Sequence, residues 1–233
     1  MAAVITRSKR YKQAASKVTD PKPLPIDQAI EVVKSFPATK FDQTVELIFN
    51  LGIDAKQADQ MIRGSISLPH GVGGKAKRVI CFCPETLVTS ALNAGAILAG
   101  GQELVQKVEK ENFIDFDVAI STPDMMRFVG RLGKVLGPKG LMPSPKAGTV
   151  TTDVGSAVRE YVAGKIEFRN DSGGNIHCIV GKVSFETTKL VDNINAMIGQ
   201  IRKMKPATSK GHYFKKVVIK ATMTPAVQLV VQL

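Results

Sequence analysis

A glycine-rich segment at residues 69–75, Pro-His-Gly-Val-Gly-Gly-Lys, has the residue types of a phosphate-binding loop. The Walker pattern also requires a glycine five residues before the Gly-Lys pair and a Ser or Thr after it, but Pro69 and Ala76 occupy those positions. A dinucleotide-binding loop would follow a strand, whereas this segment precedes the apolar run at residues 79–83. The segment is better explained as a connection between domains, in which Pro and Gly permit sharp turns.

Cysteine and histidine side chains are too scattered for a metal or catalytic site. Cys81 and Cys83 are one residue apart in an apolar run, so the Cys-x-x-Cys spacing of zinc sites is absent. The other thiol and imidazole side chains match no catalytic triad or metalloprotease spacing: Cys178, His70, His177 and His212. We therefore expect no cofactor, no bound metal and no enzymatic activity.

The charge of the chain favours a polyanionic partner. Its 233 residues include 32 Lys and Arg against 20 Asp and Glu, a formal net charge of +12. Two segments carry this excess: residues 1–22 hold six basic residues and one acid, and residues 202–220 hold seven basic residues and no acid. With no Trp and only 3 Tyr, single-strand binding by base stacking is disfavoured, and structured RNA is the better partner.

The apolar residues of the chain indicate a folded protein of the cytoplasm. Hydrophobic residues make up 44% of the sequence, enough for a substantial core. No apolar run approaches the roughly 18 residues of a membrane span, and the N-terminal segment lacks the apolar region of a signal peptide. Three cysteines cannot form a disulfide framework. We expect a cytoplasmic location and no membrane partner.

Strand and helix patterns divide the chain into a middle section and two flanks. The middle section alternates strands at 79–83, 96–99 and 118–121 with helices at 84–94, 102–111 and 153–163, which predicts a parallel sheet. A further helix is expected to open at Thr122-Pro123-Asp124, with the Thr122 hydroxyl as its cap. The flanks carry predicted helices at 27–35, with Asp27 as N-cap, and 188–204, and predicted strands at 44–50, 62–68, 165–170, 176–185, 216–222 and 227–231.

These patterns predict an α/β protein of two domains. Residues 1–67 and 160–233 form a discontinuous, basic α+β outer domain that binds RNA. Residues 68–159 form an inserted βαβ domain, Rossmann-like and three-layered. Within the inserted domain, residues 129–152 contain no acid and are rich in Gly, Pro and Lys. Two interpretations of that stretch stay open: a loop that approaches phosphates, or an ordered cover over the edge of the sheet.

The stretch at residues 116–153, which contains this loop, resembles the ribosomal protein L-one family of bacterial type. The resemblance extends over nearly the whole chain, through motifs that occur in the family's order: KFDQTVE at 40–46, LGID at 51–54, RG at 63–64, LPHG at 68–71, GKIEFRND at 164–171, and Thr222-Met223 with Pro225. It implies two α/β domains, with the first split between both chain ends.

The resemblance also implies a function. Members of this family are structural constituents of the large ribosomal subunit that bind the stalk region of large-subunit rRNA. They assist release of deacylated tRNA from the exit site, and they commonly repress translation by binding their own operon mRNA. The expected partners are therefore large-subunit rRNA, exit-site tRNA and the chain's own mRNA.

Residue roles follow from the matching motifs. The resemblance implies that Lys40 contacts phosphate, that Phe41 lies against ribose, and that Glu46 and Asp171 orient polar groups or accept from a 2′-OH. A close-packed centre is implied at Thr44, Thr222 and Met223. The chain departs from the family at two further expected RNA-binding residues: Thr224, where the family usually has Gly, and Lys216, where a small hydroxyl residue is common.

Two other classes of protein stay compatible with the residues alone. A nucleotide-dependent α/β enzyme would bind a mononucleotide through the inserted domain and depend on Lys75 or Lys139. A nonspecific basic nucleic-acid chaperone would bind RNAs of different sequence with nearly equal affinity.

Overall fold

A computed structural model describes residues 7–18, 22–111 and 113–231. The predicted basic segment at 1–22 thus lies partly outside the described residues. The chain divides into two compact units. The outer unit contains Met1–Ile62, Leu68–Gly73 and Phe168–Leu233, and the inserted unit contains Arg63–Ser67 and Gly74–Glu167. These limits differ from the predicted limits at 67/68 and 159/160, because the helix that ends at Val162 packs on strands of the inserted unit.

The chain combines helices with parallel and antiparallel sheets, which confirms the predicted α/β class. The helices are α1 (Lys9–Ala15), α2 (Ile26–Lys34), α3 (Glu85–Asn93), α4 (Gln102–Glu111), α5 (Met126–Val129), α6 (Gly133–Leu136), α7 (Val154–Val162) and α8 (Thr187–Lys203). The strands are β1 (Thr44–Leu51), β2 (Arg63–Ile66), β3 (Val79–Phe82), β4 (Leu98–Gly100), β5 (Val118–Ser121), β6 (Ile166–Arg169), β7 (Asn175–Lys182), β8 (Phe214–Ala221) and β9 (Val227–Gln228). No helix within the described ranges is long and apolar enough to cross a membrane.

The outer unit is built on an antiparallel sheet with the strand order β7-β1-β8-β9. Burial alternates along β1, so that Val45, Leu47, Phe49 and Leu51 face the core. Helices α2 and α8 cover this face. Burying each such Leu or Phe contributes roughly 1.5–3 kcal/mol.

The opposite face of the sheet carries the exposed and half-buried side chains. We call it the open face, and its residues are Thr44, Glu46, Ile48 and Asn50 of β1, His177 and Ile179 of β7, and Lys216, Val218 and Lys220 of β8. Because successive residues of a strand point to opposite faces, the apolar periodicity that builds the core also fixes which side chains lie here.

The inserted unit contains a parallel sheet, as predicted, and its strand order is β4-β3-β5. Every residue of β3 is buried because helices lie on both faces. Cys81 packs with residues of α3 and α7, whereas Ile80 and Phe82 pack with residues of α4. Leu132 and Leu136 join the second cluster, so the start of the Gly- and Lys-rich stretch contributes to the core over the sheet.

Two predicted helix caps are wrong. Helix α2 begins at Ile26 after Pro25, and Asp27 lies in its first turn without capping it through a side-chain hydrogen bond. Thr122 lies in a turn before α5, which begins only at Met126, and the buried Thr122 hydroxyl has no hydrogen-bond partner. At α2, Pro25 occupies the N-cap, and at α5, turns closed by the N–H groups of Met125 and Met126 precede the helix.

Candidate nucleic-acid interface

Most of the predicted RNA-binding residues lie at one end of the outer unit's sheet, where β1 begins and β8 ends. Strand pairing places Val45 opposite Ala221 and thereby brings together two segments that are distant in sequence. We call residues 39–44 and 222–225 the loop pair. It contains Lys40, Phe41, Thr44, Thr222, Met223 and Thr224.

Hydrogen bonds fix the two halves of the loop pair to each other. The Thr44 N–H donates to the Thr222 hydroxyl (3.1 Å), which lies 3.3 Å from the Thr44 carbonyl oxygen. The Met223 N–H donates to Oε1 of the buried Gln43 (3.0 Å). The Lys182 ammonium donates to the Thr44 hydroxyl (2.7 Å). The backbone of the loop pair is therefore held in place before any partner binds.

This frame exposes two large apolar side chains. Phe41 is 53% exposed and Met223 is 50% exposed, although side chains of these types are usually buried. The Phe41 carbonyl oxygen accepts a hydrogen bond from Thr39 Oγ1 (2.6 Å), which fixes the backbone beneath the ring. Lys40 is exposed next to Phe41. The loop pair therefore presents apolar area and a cation together, which suits a sugar-phosphate surface.

Thr224 turns its side chain into the protein. It is 9% exposed, and its hydroxyl accepts from the Ala221 N–H at 2.9 Å. The same oxygen lies 3.2 Å from the carbonyl oxygens of Ala221 and Pro225. The extra hydroxyl at this position therefore stabilises the turn from inside, together with the Thr224 N–H, which donates to the Ala221 carbonyl (3.2 Å).

Glu46 lies on the open face, one step along β1 from the loop pair. Its carboxylate forms an ion pair with Lys220 on the neighbouring strand (3.0 Å), with both side chains about 30% exposed. Lys220 lies directly opposite Glu46 in the register. This cross-strand pair orients the carboxylate and contributes little net charge to the face.

Lys216 and Asp171 lie at the other end of the sheet, about 20 Å along β1 from Thr44 of the loop pair. Asn50 is the register partner of both Lys216 and Asn175, and its side-chain amide donates to Asn175 Oδ1 (2.8 Å). Lys216 is exposed and forms no ion pair with a carboxylate of the described residues. The structure thus separates these two predicted residues from the loop pair: Lys216 lies on β8, and Asp171 lies in the turn that precedes β7.

Asp171 directs its carboxylate into its own turn. Oδ1 accepts from the N–H groups of Gly173 (2.8 Å) and Asn175 (2.7 Å), and the Asn175 side-chain amide donates to Oδ2 (3.0 Å). The Asn175 side chain and the backbone donors lower the pKa of Asp171, because they favour its ionised form. The lone pairs of the carboxylate that these hydrogen bonds leave unused are the ones that would accept a hydrogen bond from a 2′-OH, its predicted role.

Comparison with known proteins identifies the family. A model of the Ribosomal protein L1p/L10e family matches residues 33–225, a range that contains every predicted RNA-binding residue. The chain belongs to that family. It is 51% identical over 223 residues to the large ribosomal subunit protein uL1 of Kosmotoga olearia, and the match covers 96% of each chain. The proteins of the same name from Mycoplasma capricolum and Bifidobacterium longum are 49% and 47% identical, over 95% and 96% of this chain and 97% and 96% of theirs.

Membership of the L1p/L10e family confirms the resemblance seen in the sequence. The chain is a structural constituent of the large ribosomal subunit, it is associated with rRNA, and it is not an enzyme. It is therefore cytoplasmic, within the ribosome. The nucleotide-dependent enzyme is excluded as an alternative.

The glycine-rich segment has a packing role in this L1p/L10e chain. The side-chain amide of the buried Asn193 on α8 donates to the Gly71 carbonyl (2.9 Å) and accepts from the His70 N–H (3.1 Å). A Cβ at Gly73 would lie 2.7 Å from the ring of Phe185. The glycines therefore allow the segment to lie close against the outer unit.

Sequence reasoning missed Gln43, Lys182 and Ile179. Gln43, the buried residue within the loop pair, and Lys182 on β7 hold the loop pair together, and no local pattern marks such residues. Ile179, 42% exposed on the open face, lies opposite Glu46. The period-two alternation of β7 is the signal that could have found Ile179.

Proposed function

We propose that this L1p/L10e chain binds the stalk region of large-subunit rRNA through the loop pair and the adjoining open face. The observation that carries the proposal is the exposure of Phe41 and Met223 on a backbone frame fixed by Gln43, Thr44 and Thr222. A rigid exposed apolar patch on a basic protein is the signature of a binding surface.

The chemistry of the surface fits folded RNA. A-form RNA displays 2′-hydroxyls and base edges in a wide, shallow minor groove, which a preformed surface reads by shape. Phe41 and Met223 supply apolar contact to ribose, while Lys40 and Lys216 neutralise phosphates. No aromatic side chain lies on the open face itself, so recognition by serial base stacking is not supported.

The proposal is tested by titrating the protein against a stalk fragment of large-subunit rRNA and against a scrambled duplex of equal length, across a range of salt concentrations. We expect the stalk fragment to bind at least about a hundredfold more tightly. Equal affinity for both RNAs would refute specific binding and would support the nonspecific chaperone.

A matched pair of methionine variants localises the site. Met61 is 52% exposed in the outer unit but lies outside the loop pair and the open face, so it controls for loss of an exposed Met. We expect Met223→Ala and Phe41→Ala each to weaken the stalk complex by about tenfold and to leave the scrambled duplex unaffected. Met61→Ala should bind like wild type. Equal effects of Met223→Ala and Met61→Ala would remove the loop pair from the site.

The proposal extends to the chain's own operon mRNA, supported by the family resemblance. A messenger that folds like the rRNA target would occupy the same surface, so both RNAs would compete. Translation of the operon message in vitro should fall when the protein is added, and Met223→Ala should relieve this repression while Met61→Ala does not. Undiminished translation at saturating protein would refute the extension.

Assistance in release of deacylated tRNA from the exit site also rests on the family resemblance. The test compares ribosomes lacking the chain with ribosomes reconstituted with it, and measures the dissociation rate of labelled deacylated tRNA. We expect faster release after reconstitution. An unchanged rate would refute this role and leave rRNA binding in place.

A further inference from the structure

A basic cleft opens at the end of the outer unit's sheet farthest from the loop pair. Its volume is about 690 Å³. The cleft lies where β1 ends at Leu51 and β8 begins at Phe214, and these two residues are register partners. The residues lining it that matter here are Gly52, Asp54, Thr208, Lys210, His212 and Lys215.

The two walls of the cleft are fixed by direct backbone contact. The Gly52 N–H donates to the Tyr213 carbonyl (2.7 Å), and the hydroxyl of the buried Ser209 donates to the Gly52 carbonyl (2.8 Å). A Cβ at Gly52 would lie 2.2 Å from the His212 carbonyl oxygen, so only glycine permits this approach. The cleft is therefore preformed and needs little ordering when a ligand binds.

The cleft carries unneutralised positive charge. Lys210 and Lys215 are exposed, and neither forms an ion pair with a carboxylate of the described residues. Asp54 is the acidic residue among those that line the cleft, and its carboxylate accepts from the Lys56 N–H (3.0 Å) in its own loop. His212 adds an exposed imidazole. A site of this composition favours a phosphodiester over a cationic or neutral ligand.

A β-bulge joins the cleft to the open face. Asn50 pairs with Lys216 and Leu51 pairs with Phe214, so Lys215 is an extra residue in β8. A bulge re-aims the side chains around it. Accordingly Lys215 lines the cleft while Lys216, the next residue, belongs to the open face. The two exposed lysines extend one basic surface around the end of the sheet.

We propose that this cleft is a second contact site for the phosphate backbone of the RNA that binds the loop pair. The inference rests on the proposed function, because continuity with the open face is the reason to choose RNA over an acidic protein. The cleft, at Leu51, lies about 23 Å along β1 from Thr44 of the loop pair. One folded RNA can therefore occupy both, with the loop pair selecting the fold and the cleft supplying sequence-independent affinity.

The test is the double variant Lys210→Gln/Lys215→Gln. Its control is Lys107→Gln/Lys110→Gln, which removes the same charge from exposed positions on α4. Dissociation constants for the stalk fragment are measured across salt concentrations. We expect the cleft variant to bind about tenfold more weakly near 0.1 M salt and its salt slope, log K against log [salt], to fall in magnitude by roughly 1–2. The control variant should keep the wild-type slope.

Further variants and measurements distinguish the different ways in which the cleft proposal could be wrong. Lys210→Arg/Lys215→Arg keeps both charges and should restore the slope, and unchanged thermal unfolding shows that each variant is folded. A wild-type slope in the Gln variant, or an equal loss in the control, would overturn the cleft proposal. So would a poly-glutamate peptide that loses more affinity than the stalk fragment does in the Gln variant, since the cleft would then favour an acidic protein. The salt slope is measurable on any bound RNA, so failure of stalk specificity would be seen separately, in the comparison of stalk fragment with scrambled duplex.

Discussion

The carboxylate of Asp171 stabilises the turn in which it lies. Its hydrogen bonds to Gly173 and Asn175 close the turn between β6 and β7. Because its folded-state pKa lies below the unfolded value near 3.9, its contribution to stability is fully present above that value. The contribution is lost as the pH falls through the folded-state pKa.

Two substitutions of Asp171 distinguish its role in stabilising the turn from a role in contacting RNA. Asp171→Ala should lower the free energy of unfolding by about 1 kcal/mol, or about 2–4 °C in Tm, at neutral pH. Asp171→Asn should lose less than Asp171→Ala, since its amide oxygen still accepts from the two backbone N–H groups, although its NH2 group cannot accept from the Asn175 side-chain amide as Oδ2 does. Thermal unfolding checks both, and the deficit of the Ala variant should shrink as the pH falls below about 3.9 toward the folded-state pKa of Asp171.

RNA affinity of the same two variants tests the predicted 2′-OH role. If the carboxylate acts through the turn, Asp171→Asn binds the stalk fragment like wild type. Weak binding by a fully stable Asp171→Asn would instead show that the charge contacts RNA directly.

Thr224 gives a second prediction at the scale of one side chain. Thr224→Val keeps the shape but removes the hydroxyl that accepts from the Ala221 N–H. We expect a loss of about 1–2 kcal/mol in unfolding free energy, about 3–6 °C in Tm, together with weaker binding of the stalk fragment because the turn carrying Met223 is loosened.

Thr224→Ser is the control for this prediction, since it retains the hydroxyl. Its Tm and RNA affinity should be those of wild type. A Val variant as stable as the Ser variant would contradict a structural role for the hydroxyl of Thr224.

Some residues of this site can be predicted from the sequence, and others cannot. Phe41, Thr44 and Met223 belong to motifs whose pattern can be recognised. The role of Gln43 in holding the turn cannot be predicted in this way, because the N–H group that donates to it, that of Met223, is 180 residues away. A buried Gln also has no local signature in the sequence. Contacts of that kind exist only once strand pairing is known.

At the scale of elements, apolar periodicity predicts interior segments well. The predicted bounds of α4 and β5 are those observed, because each is a continuous run whose burial pattern its residues dictate. Helix ends are less predictable: Pro25 takes the N-cap position before Asp27, and hydrogen-bonded turns separate Thr122 from α5. The bulge at Lys215 depends on register with β1, which the residues of β8 alone do not encode.

Helix α8 anchors the glycine-rich segment through one buried side chain. The Asn193 amide donates to the carbonyls of Gly71 and Val180 and accepts from the His70 N–H. Asn193→Leu leaves these groups unpaired, and we expect a loss of about 2–4 kcal/mol, lowering Tm by about 5–10 °C. Faster tryptic cleavage at Lys75 should accompany the loss.

Asn195→Leu controls for this change, because Asn195 is exposed on the same helix. It should unfold and be cleaved like wild type. Similar destabilisation by both substitutions would mean that apolar replacement in α8, and not the anchor, is responsible.

At the scale of the whole molecule, the α/β class follows from composition and alternation, whereas the limits of the two units do not. Residues 160–167 carry no charge signal that separates them from the flank, yet they belong to the inserted unit through the packing of α7. The formal net charge of +12, by contrast, is a property of the whole molecule that can be counted directly from the sequence.

That charge makes added salt act in opposite directions on the free chain and on its RNA complex. In the free chain, chloride screens self-repulsion, and the exposed ion pairs it weakens are worth little, so Tm should rise by a few degrees between about 0.05 M and about 0.3 M NaCl. In the complex, fewer counterions are released at higher salt, so affinity for the stalk fragment should fall by about a hundredfold over the same range. Thermal unfolding and titration in matched buffers measure both, with sulfate avoided because it stabilises folded proteins by exclusion. A Tm that falls with chloride would mean that ion pairs outweigh repulsion, and an affinity indifferent to salt would mean that the basic segments do not contact phosphate.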